Sequence, residues 1–570
     1  MLPNWSYTQR FAPFAKYGET FLTVAPDKIT IYTASPEIIC QITQRREAFP
    51  KSLESYAVLN IYGRNILSTE GAEWKQHRKV TSPSFTEKNN ALVFKESVAQ
   101  TQSMLQKWTA PHGMGHQTQK DVASDTMLLT LHIISMVGFG VQLWWEGEEP
   151  SKKGKRSGVN YGSHEAPNGH TMSYSHALEL LLENLILVLL MPKWLLRTLP
   201  FKRTHLAHDA FVNWGQYMNE LFKTKIAEAE AGEQSEGMDI MGALVKSAYG
   251  DKKSPENNKQ KGQGAKLVLT DSEILGNAFV MIIAGHETTA NSIHFSLIFL
   301  ALHPDAQRKL QSEINSIFQH TSPDEWDYES SITTLLGGMA GAVLNEELRL
   351  MPPVTNIPKS VRKDQDQTVN HAGRKVKLPR GAQIHLVAIA AHLNPTYWPS
   401  RGPSKITAKD DDLDDFVPER WLIQESAVES NSGNVDEQAG SDHEGFGGFT
   451  GTDSSAQLFR PTKGAYLPFS DGARSCLGRR LAQVEIMAVL AVIFQTYSIE
   501  LAVDEWATDS EVARMTDREK TKLYRKAQEK ARATIAKATT LITLKLHDAT
   551  DIVPIRVVPK GEERFLHLID

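Results

Sequence analysis

The cysteine at position 476 is the residue in this sequence most suited to metal chemistry. The chain has two cysteines, Cys40 and Cys476, which is too few for a secreted disulfide framework and fits a reducing, cytosol-facing environment. Cys476 lies within Phe469-Ser-Asp-Gly-Ala-Arg-Ser-Cys-Leu-Gly478, directly before an apolar pattern that predicts a helix. The N–H groups and dipole of a helix start favour an anion, and Arg474 adds a fixed cation. The sulfur is therefore expected to be a thiolate that binds iron, next to a site for an anionic group.

A second reactive group lies inside a long apolar segment. The pattern Thr270-x-x-Glu273 predicts a capped helix from about Asp271 to His303, roughly 45 to 50 Å long. Its centre is interrupted by Ala284-Gly-His-Glu-Thr-Thr289, in which an acid and a hydroxyl, Glu287 and Thr288, are adjacent. Such a pair suits proton transfer, although a polar notch that only binds water has the same pattern. An H-E-x-x-H zinc site is excluded here because position 290 is alanine.

Three further patterns involve charged side chains. Glu346 and Arg349 are three residues apart in a predicted helix and share one face. Trp74 and Arg78 are four apart, and both are donors suited to a carboxylate. Arg420 lies in a Pro-Glu-Arg-Trp segment. Each pattern alone is equally typical of a solvated surface, so none of them assigns a function by itself.

In their order along the chain, these segments resemble the motifs of the cytochrome P450 family. The cysteine segment matches the haem-binding pattern F-x-x-G-x-R-x-C-x-G at every fixed position. The resemblance covers nearly the whole chain and is greatest to eukaryotic, fungal, membrane-associated members. It implies a mostly α fold with small β-sheets, a long central distal helix and a proximal cysteine-ligand loop. It also implies haem b (iron protoporphyrin IX) as the cofactor.

The resemblance implies roles for individual residues. Cys476 is implied as the axial ligand to the haem iron, and Glu287 and Thr288 as the catalytic pair that feeds protons to dioxygen. Contacts with the haem are implied for Trp74, Arg78, Arg474 and, by alignment, Lys359. A structural ion-pair network that fixes the loop around the proximal haem face is implied for Glu346, Arg349 and Arg420.

The expected activity is a haem-dependent monooxygenase that inserts one atom of dioxygen into a small lipophilic substrate in fungal secondary metabolism. The chain contains no flavin or NADPH segment, so electrons are expected from a separate NADPH-cytochrome P450 reductase on the cytosolic face of the endoplasmic reticulum membrane. The cations expected to face this acidic partner are Lys75, Lys79, Lys463, Arg479 and Arg480. The alternatives are an electron-independent haem-thiolate isomerase or peroxygenase, and a haem-based ligand-binding protein. The acid and hydroxyl at Glu287 and Thr288 favour the monooxygenase.

The rest of the chain predicts its organisation. Residues 1–570 are expected to form one domain without an N-terminal membrane anchor, with inserted low-complexity loops at about 146–171, 250–266 and 425–455. The apolar stretch Leu178–Leu199 is interrupted by charges and by Pro192, which predicts a buried or membrane-surface helix and not a span. A net charge of -5 gives no reason to expect nucleic acid as a partner. The expected substrate-contacting segments are 52–67, 178–201, 279–288, 354–357 and 548–552.

Overall fold

The structure of the chain is a computed structural model. It describes residues 4–109, 117–145, 147, 161–162, 165–232, 239–249, 269–423, 457–540, 542–546 and 550–568. The expected inserted loops at 250–266 and 425–455 lie outside the described residues, as does most of 146–171.

Helices form most of the described chain, as the sequence predicts. In chain order they are α1 (Trp5–Gln9), α2 (Ala12–Tyr17), α3 (Pro36–Gln44), α4 (Leu53–Tyr56), α5 (Gly71–Thr81), α6 (Glu87–Thr109), α7 (Val122–Phe139), α8 (Tyr174–Glu183), α9 (Leu185–Leu190), α10 (Lys193–Thr198), α11 (Lys202–Ala231), α12 (Ile240–Tyr249), α13 (Asp271–Leu302), α14 (Pro304–Phe318), α15 (Tyr328–Gly337), α16 (Met339–Leu350), α17 (Ala388–Ala391), α18 (Arg479–Thr496), α19 (Asp509–Arg514) and α20 (Asp517–Ile535).

The described strands form small sheets. They are β1 (Thr20–Ala25), β2 (Lys28–Thr33), β3 (Gln117–Gln119), β4 (Ile357–Ser360), β5 (Gln367–His371), β6 (Arg374–Leu378), β7 (Gln383–Leu386), β8 (Tyr497–Leu501), β9 (Thr539–Thr540), β10 (Leu544–Lys545) and β11 (Ile555–Pro559). One sheet has the order β1-β2-β7-β4 and another the order β3-β11-β8, while β5 pairs with β6 and β9 with β10. β1 and β2 pair antiparallel as a hairpin, with Thr20 opposite Thr33.

Helix α13 is the centre of the core. Its predicted capping box is present, because the Thr270 side chain accepts a hydrogen bond from the Glu273 N–H and the Glu273 carboxylate accepts one from Thr270. The helix is apolar on nearly every face, and a helix of that composition is stable only when surrounded by protein. It packs against α7, α16 and α18 and is buried over most of its length. The expected long central helix is confirmed.

The region predicted as one helix at Leu178–Leu199 is instead three short helices, α8, α9 and α10. The first break is at Asn184, which lies between α8 and α9 with φ −102° and ψ 15°. The second is at Pro192, which has no backbone N–H to continue α9. The interruptions recognised in the sequence therefore end the helices and do not merely lower their hydropathy.

One helix in the described part of the chain, α7, is long and apolar enough to cross a membrane, with a mean hydropathy of 1.5. It is 72% buried inside the protein, which is the arrangement of a core helix. The C-terminal strand pair β9-β10 lies at residues 539–545, earlier than the hairpin expected near 548–552. Residues 547–549 lie outside the described part.

Candidate active site

The cysteine loop is held in a tight turn immediately before α18. Gly472 has φ +69°, and a Cβ atom at this position would lie 2.3 Å from the backbone oxygen of Thr43, so no larger residue fits. The Asp471 carboxylate accepts a hydrogen bond from the Gly472 N–H. The Cys476 N–H donates to the carbonyl of Phe469 at 2.9 Å. The Cys476 side chain is exposed and lies at the start of a helix, where a thiolate is favoured.

Arg474 points away from the surface and connects the loop to α5. Its guanidinium donates to the carbonyl of Thr69 at 2.9 Å, pairs with Glu70 at 2.5 Å and lies 4.0 Å above the Trp74 ring. Burial lowers the pKa of Arg474 to about 10 even though Glu70 acts in the opposite direction. Arg78 also reaches the loop, because its Nη1 donates to the carbonyl of Ser475 at 2.8 Å. The structure thus brings Trp74, Arg78 and Arg474 together beside Cys476.

Two lysines complete a cluster of buried cations, hereafter the cation cluster: Lys51, Arg78, Lys359 and Arg474. Lys359 is only 2% exposed, and burial, followed by the charge of Arg474, lowers its pKa to about 8. The pKa of Lys51 is also lowered well below its usual range. Burial is the largest cause, and the positive charges of Arg474 and Lys359 come next. The backbones of Lys51 and Lys359 are joined by an isolated β-bridge.

Two carboxylates, Glu70 and Asp471, oppose the lowered pKa of Lys359 without cancelling it. Glu70 is the carboxylate that pairs with Arg474, and it opposes the pKa shifts of both Lys51 and Lys359. Buried cations that lower one another's pKa are stabilised by a bound anion. The two carboxylates of a haem would supply that charge, next to a cysteine suited to bind its iron. The residues present therefore fit a haem.

The centre of α13 is locally accessible to solvent. Ala284 is exposed and Gly285 and Thr288 are half-buried, although the helix on either side of them is buried. The Thr288 hydroxyl donates to the carbonyl of Ala284 at 2.7 Å. A Cβ at Gly285 would lie 3.2 Å from Ile134 of α7, which explains the small residue there. The hydroxyl thus borders a space in which a small molecule could accept its hydrogen bond.

Glu287 lies beside Thr288 but does not stand alone. It is 9% exposed, and its Oε1 is 2.5 Å from the Nζ of Lys545 in β10. The sequence predicted an acid at this position, but it gave no sign of the lysine, which is 258 residues away. The structure therefore places an ion pair between a buried acid and a half-buried lysine at the residue next to Thr288.

The Glu346–Arg349 pair and Arg420 form one buried network. Both oxygens of Glu346 accept from Arg349 at 2.8 Å, and Arg420 lies 3.4 Å from Oε1; all three side chains are 0% exposed. Val417 N–H and the Trp421 indole N–H also donate to Glu346, at 3.0 and 2.9 Å. Burial raises the pKa of Glu346, but Arg349 and Arg420 outweigh it, so the net pKa is lowered. The segment around Arg420 is thereby fixed to α16.

A neighbouring group, Glu73, His77 and Glu273, has the composition of a metal site, with its ligand atoms within 4.8 Å of one another. Asn277 argues against that use. Its oxygen accepts from the Ile66 N–H at 2.9 Å, so its amide nitrogen faces His77 Nδ1 at 2.7 Å. Nδ1 must then accept and Nε2 must carry the proton, which leaves no lone pair on Nε2 for a metal. His77 instead ties α5 to α13.

Sequence reasoning missed Lys51, His77 and Lys545, because each acts through a partner that is distant in the chain. One expectation about the surface is wrong: Arg479 is buried and cannot face a partner protein. Arg480 pairs with Glu87 at 3.1 Å.

Lys79 and Lys463 are exposed, and Lys75 is half-buried. Tyr62 packs on Phe211 and Phe279, with ring centroids 5.2 and 4.8 Å apart, so segments 52–67 and 279–288 are in contact.

A long helix opened beside an acid and a hydroxyl, and a cysteine loop flanked by buried cations, define a haem-thiolate protein. Comparison with known proteins agrees. The family model for cytochrome P450 matches residues 9–523. The chain belongs to the cytochrome P450 family, and its cofactor is haem.

Several similar proteins are fungal. The chain is 28% identical to a cytochrome P450 monooxygenase of Arthrobotrys oligospora, over 98% of this chain and 86% of the relative. It is 30% identical to a cytochrome P450 monooxygenase of Postia placenta, over 84% and 77%. The crystal structure of the cytochrome P450DA heme domain matches with a TM-score of 0.61 and 18% identity, over 96% of this chain and 92% of that one, which shows the fold. The protein is a cytochrome P450 monooxygenase, which requires a redox partner and a substrate.

Proposed function

We propose that the protein oxidises a small lipophilic secondary metabolite, with Cys476 as the axial iron ligand and with electrons from an NADPH-cytochrome P450 reductase. The observation that carries the proposal is the cation cluster beside the Cys476 loop. Bound haem supplies dioxygen activation and oxygen transfer. Lys51, Arg78, Lys359 and Arg474 would hold its carboxylates, with Trp74 against Arg474.

Protons are proposed to reach the reaction through Glu287 and Thr288. The Thr288 hydroxyl already donates to Ala284, so it can turn to an oxygen atom in the adjacent space without any movement of the backbone. Glu287 is the neighbouring acid that can renew the proton. The role of α13 is to keep both groups next to each other in an otherwise apolar wall, where few water molecules compete.

The redox partner is proposed to approach the side of the protein that carries the Cys476 loop. Lys79 and Lys463 are exposed there and are suited to an acidic surface. Arg479 is excluded by its burial. Replacement of both lysines by glutamate is expected to slow reduction by the reductase more at low than at high ionic strength.

Two exposed apolar segments support a membrane-surface location, proposed to be the cytosolic face of the endoplasmic reticulum. In β1, Leu22 and Val24 are 58% and 71% exposed. In the region of α9 and α10, Leu190 and Trp194 are 71% and 68% exposed, followed by Phe201. Exposed large apolar side chains of this kind bury favourably at a lipid interface.

Secondary metabolism is proposed from the relatives. One, 23% identical, is named as the monooxygenase of a phomenoic acid biosynthesis cluster in Leptosphaeria maculans. Another, 24% identical, is an echinocystic acid 23-monooxygenase of Saponaria officinalis. Both names refer to acids. The aromatic contact of Tyr62 with Phe279 offers an apolar surface suited to a lipophilic substrate.

The test of the thiolate assignment is spectroscopic. The reduced protein exposed to carbon monoxide is expected to show the red-shifted Soret band of a thiolate-ligated haem. Cys476→Ser is expected to remove that band. Cys40→Ser is the matched control, since the chain has one other cysteine, and it is expected to keep the band. Loss of the band in Cys40→Ser alone would overturn the assignment.

A further inference from the structure

The C-terminal strand pair β9-β10 holds α13 at two points next to the proposed proton-delivery residues. Lys545 in β10 pairs with Glu287 at 2.5 Å. Two residues earlier, Thr543 accepts a hydrogen bond from the Asn291 side chain at 3.1 Å. Both contacts join the last part of the chain to the centre of the distal helix.

The spacing of these contacts shows that they form one interface. Glu287 and Asn291 are four residues apart on α13 and therefore share one face. Thr543 lies in the bend directly before β10, two residues from Lys545, so both contacts come from one short segment. Glu287, Asn291 and Thr543 are all buried, so the Lys545 pair is not an incidental surface bridge.

Exposure decreases from Lys545 towards the interior. The Lys545 side chain is 26% exposed, while that of Glu287 is 11% exposed. The lysine therefore stands between solvent and the acid. Its ammonium fixes the carboxylate on one side of α13, since a buried carboxylate that loses its cation is left unpaired at a large cost.

We propose that Lys545 is a positioning residue for Glu287. Lys545 sets the orientation of the Glu287 carboxylate, and from that orientation the acid takes up a proton and passes it to the side of Thr288. The inference rests on the proposed proton-delivery function of Glu287 and Thr288. Only O–H bonds are made and broken: a proton from water joins the carboxylate and then leaves it for the reacting oxygen. Lys545 contributes its charge and its hydrogen bond and is not itself consumed.

The same strand also contacts the segment after α16. The Leu544 N–H donates to the carbonyl of Pro353 at 2.9 Å, and the next residue, Val354, is exposed and lies in a segment expected to contact substrate. The strand pair therefore joins that segment to the ion pair.

The experiment compares haem-loaded variants in reductase-driven assays, with and without 7-ethoxycoumarin as a lipophilic probe. The readouts are the rate of NADPH consumption and its solvent isotope effect in D₂O, neither of which requires the natural substrate. Lys545→Met is expected to slow consumption about threefold to tenfold, less than the about 100-fold typical of losing a proton-transfer group, and to raise the isotope effect. Lys545→Arg is expected to restore both to near wild type.

A second readout does not depend on turnover. Hydrogen–deuterium exchange at Leu544 is expected to rise severalfold in both Lys545→Met and Glu287→Gln, because each loses the pair that holds the strand. The matched control is Lys537→Met, which removes another lysine pair from the same region, with Asp551 at 2.7 Å, and is expected to leave turnover, isotope effect and Leu544 exchange unchanged.

The outcomes separate the two proposals. Unchanged turnover in Glu287→Gln would overturn both the proton-delivery function and the role of Lys545. A second outcome would overturn only the role of Lys545. In it, Glu287→Gln slows turnover, but Lys545→Met behaves like the control Lys537→Met. The role of Lys545 would also be overturned if Lys545→Met slowed NADPH consumption by the same factor in a Glu287→Gln background as in the wild type. The lysine would then act through a group other than Glu287.

Discussion

Replacing Glu346 with alanine tests the buried network that joins α16 to the segment before the cysteine loop. In the variant, the Arg349 guanidinium would keep only backbone carbonyls as described hydrogen-bond partners, among them Leu413 at 2.8 Å, beside its contact with the Trp398 ring. Arg420 would keep Asp412 at 2.9 Å. The N–H groups that now donate to Glu346 would lose their acceptor.

The expected cost is large. Breaking a buried ion pair from one side costs about 3 to 5 kcal/mol, and each orphaned buried donor adds about 1 to 3 kcal/mol. The total approaches the whole stability of an ordinary domain, about 5 to 15 kcal/mol. We therefore expect Glu346→Ala to yield almost no folded, haem-loaded protein. Glu346→Gln keeps an acceptor oxygen and is expected to be less severe.

The assay is the yield of haem-loaded protein per milligram, followed by urea unfolding of whatever folds. The matched control is Asp364→Ala, which breaks the exposed pair with Arg362 at 2.5 Å and is expected to leave the urea unfolding curve nearly unchanged. If uncompensated charge is the cause, Glu346→Leu combined with Arg349→Met should recover part of the loss. Normal haem loading in Glu346→Ala would refute the reasoning.

The same network predicts an acid limit to stability. The pKa of Glu346 is lowered in the folded protein, so its contribution is fully present above the unfolded value of about 4.3 and is lost as the pH falls through the folded value. Acid titration of unfolding should therefore show a component that is reduced in Glu346→Gln. An identical acid limb in both proteins would contradict this assignment.

Three further predictions follow from the site. In the absence of haem, Lys359 has a pKa of about 8, so haem affinity, measured by transfer to apomyoglobin, should fall as the pH rises above about 8, and Lys359→Met should lose that dependence. Thr288→Ala should bind haem normally but consume NADPH with severalfold less product and more peroxide, while peroxide-driven oxidation changes little. Gly472→Ala should abolish haem loading because its Cβ would meet Thr43 at 2.3 Å, whereas Gly373→Ala, also at positive φ but with open space around it, should cost about 1 kcal/mol in urea unfolding.

The sequence was sufficient for features carried by adjacent residues or regular spacing. The turn at Gly472, the capped start of α13 and the Glu346–Arg349 pair all depend on neighbours within a few positions, and all are present. The approach of Lys51 to Lys359 depends instead on a bridge between segments about 300 residues apart, which no local pattern encodes.

The burial of Arg479 was missed for a related reason. It is the first residue of α18, and which side of a helix start faces solvent is decided by the surrounding elements and not by the local sequence. The Lys545–Glu287 pair likewise joins the end of the chain to its centre. The burial of Arg479 and the Lys545–Glu287 pair depend on tertiary placement and not on residue type. The features that the sequence predicted correctly depend on local pattern.

The cation cluster has a consequence for the life of the protein in the cell. Before haem arrives, Lys51, Lys359 and Arg474 repel one another in a buried position, so the segments that carry them should open more readily than the rest of the core. A chain that has not received its cofactor would then be preferentially exposed to proteases and chaperones, while the loaded chain is protected by mass action. The amount of enzyme would thus follow the supply of haem after translation, without any change in transcription.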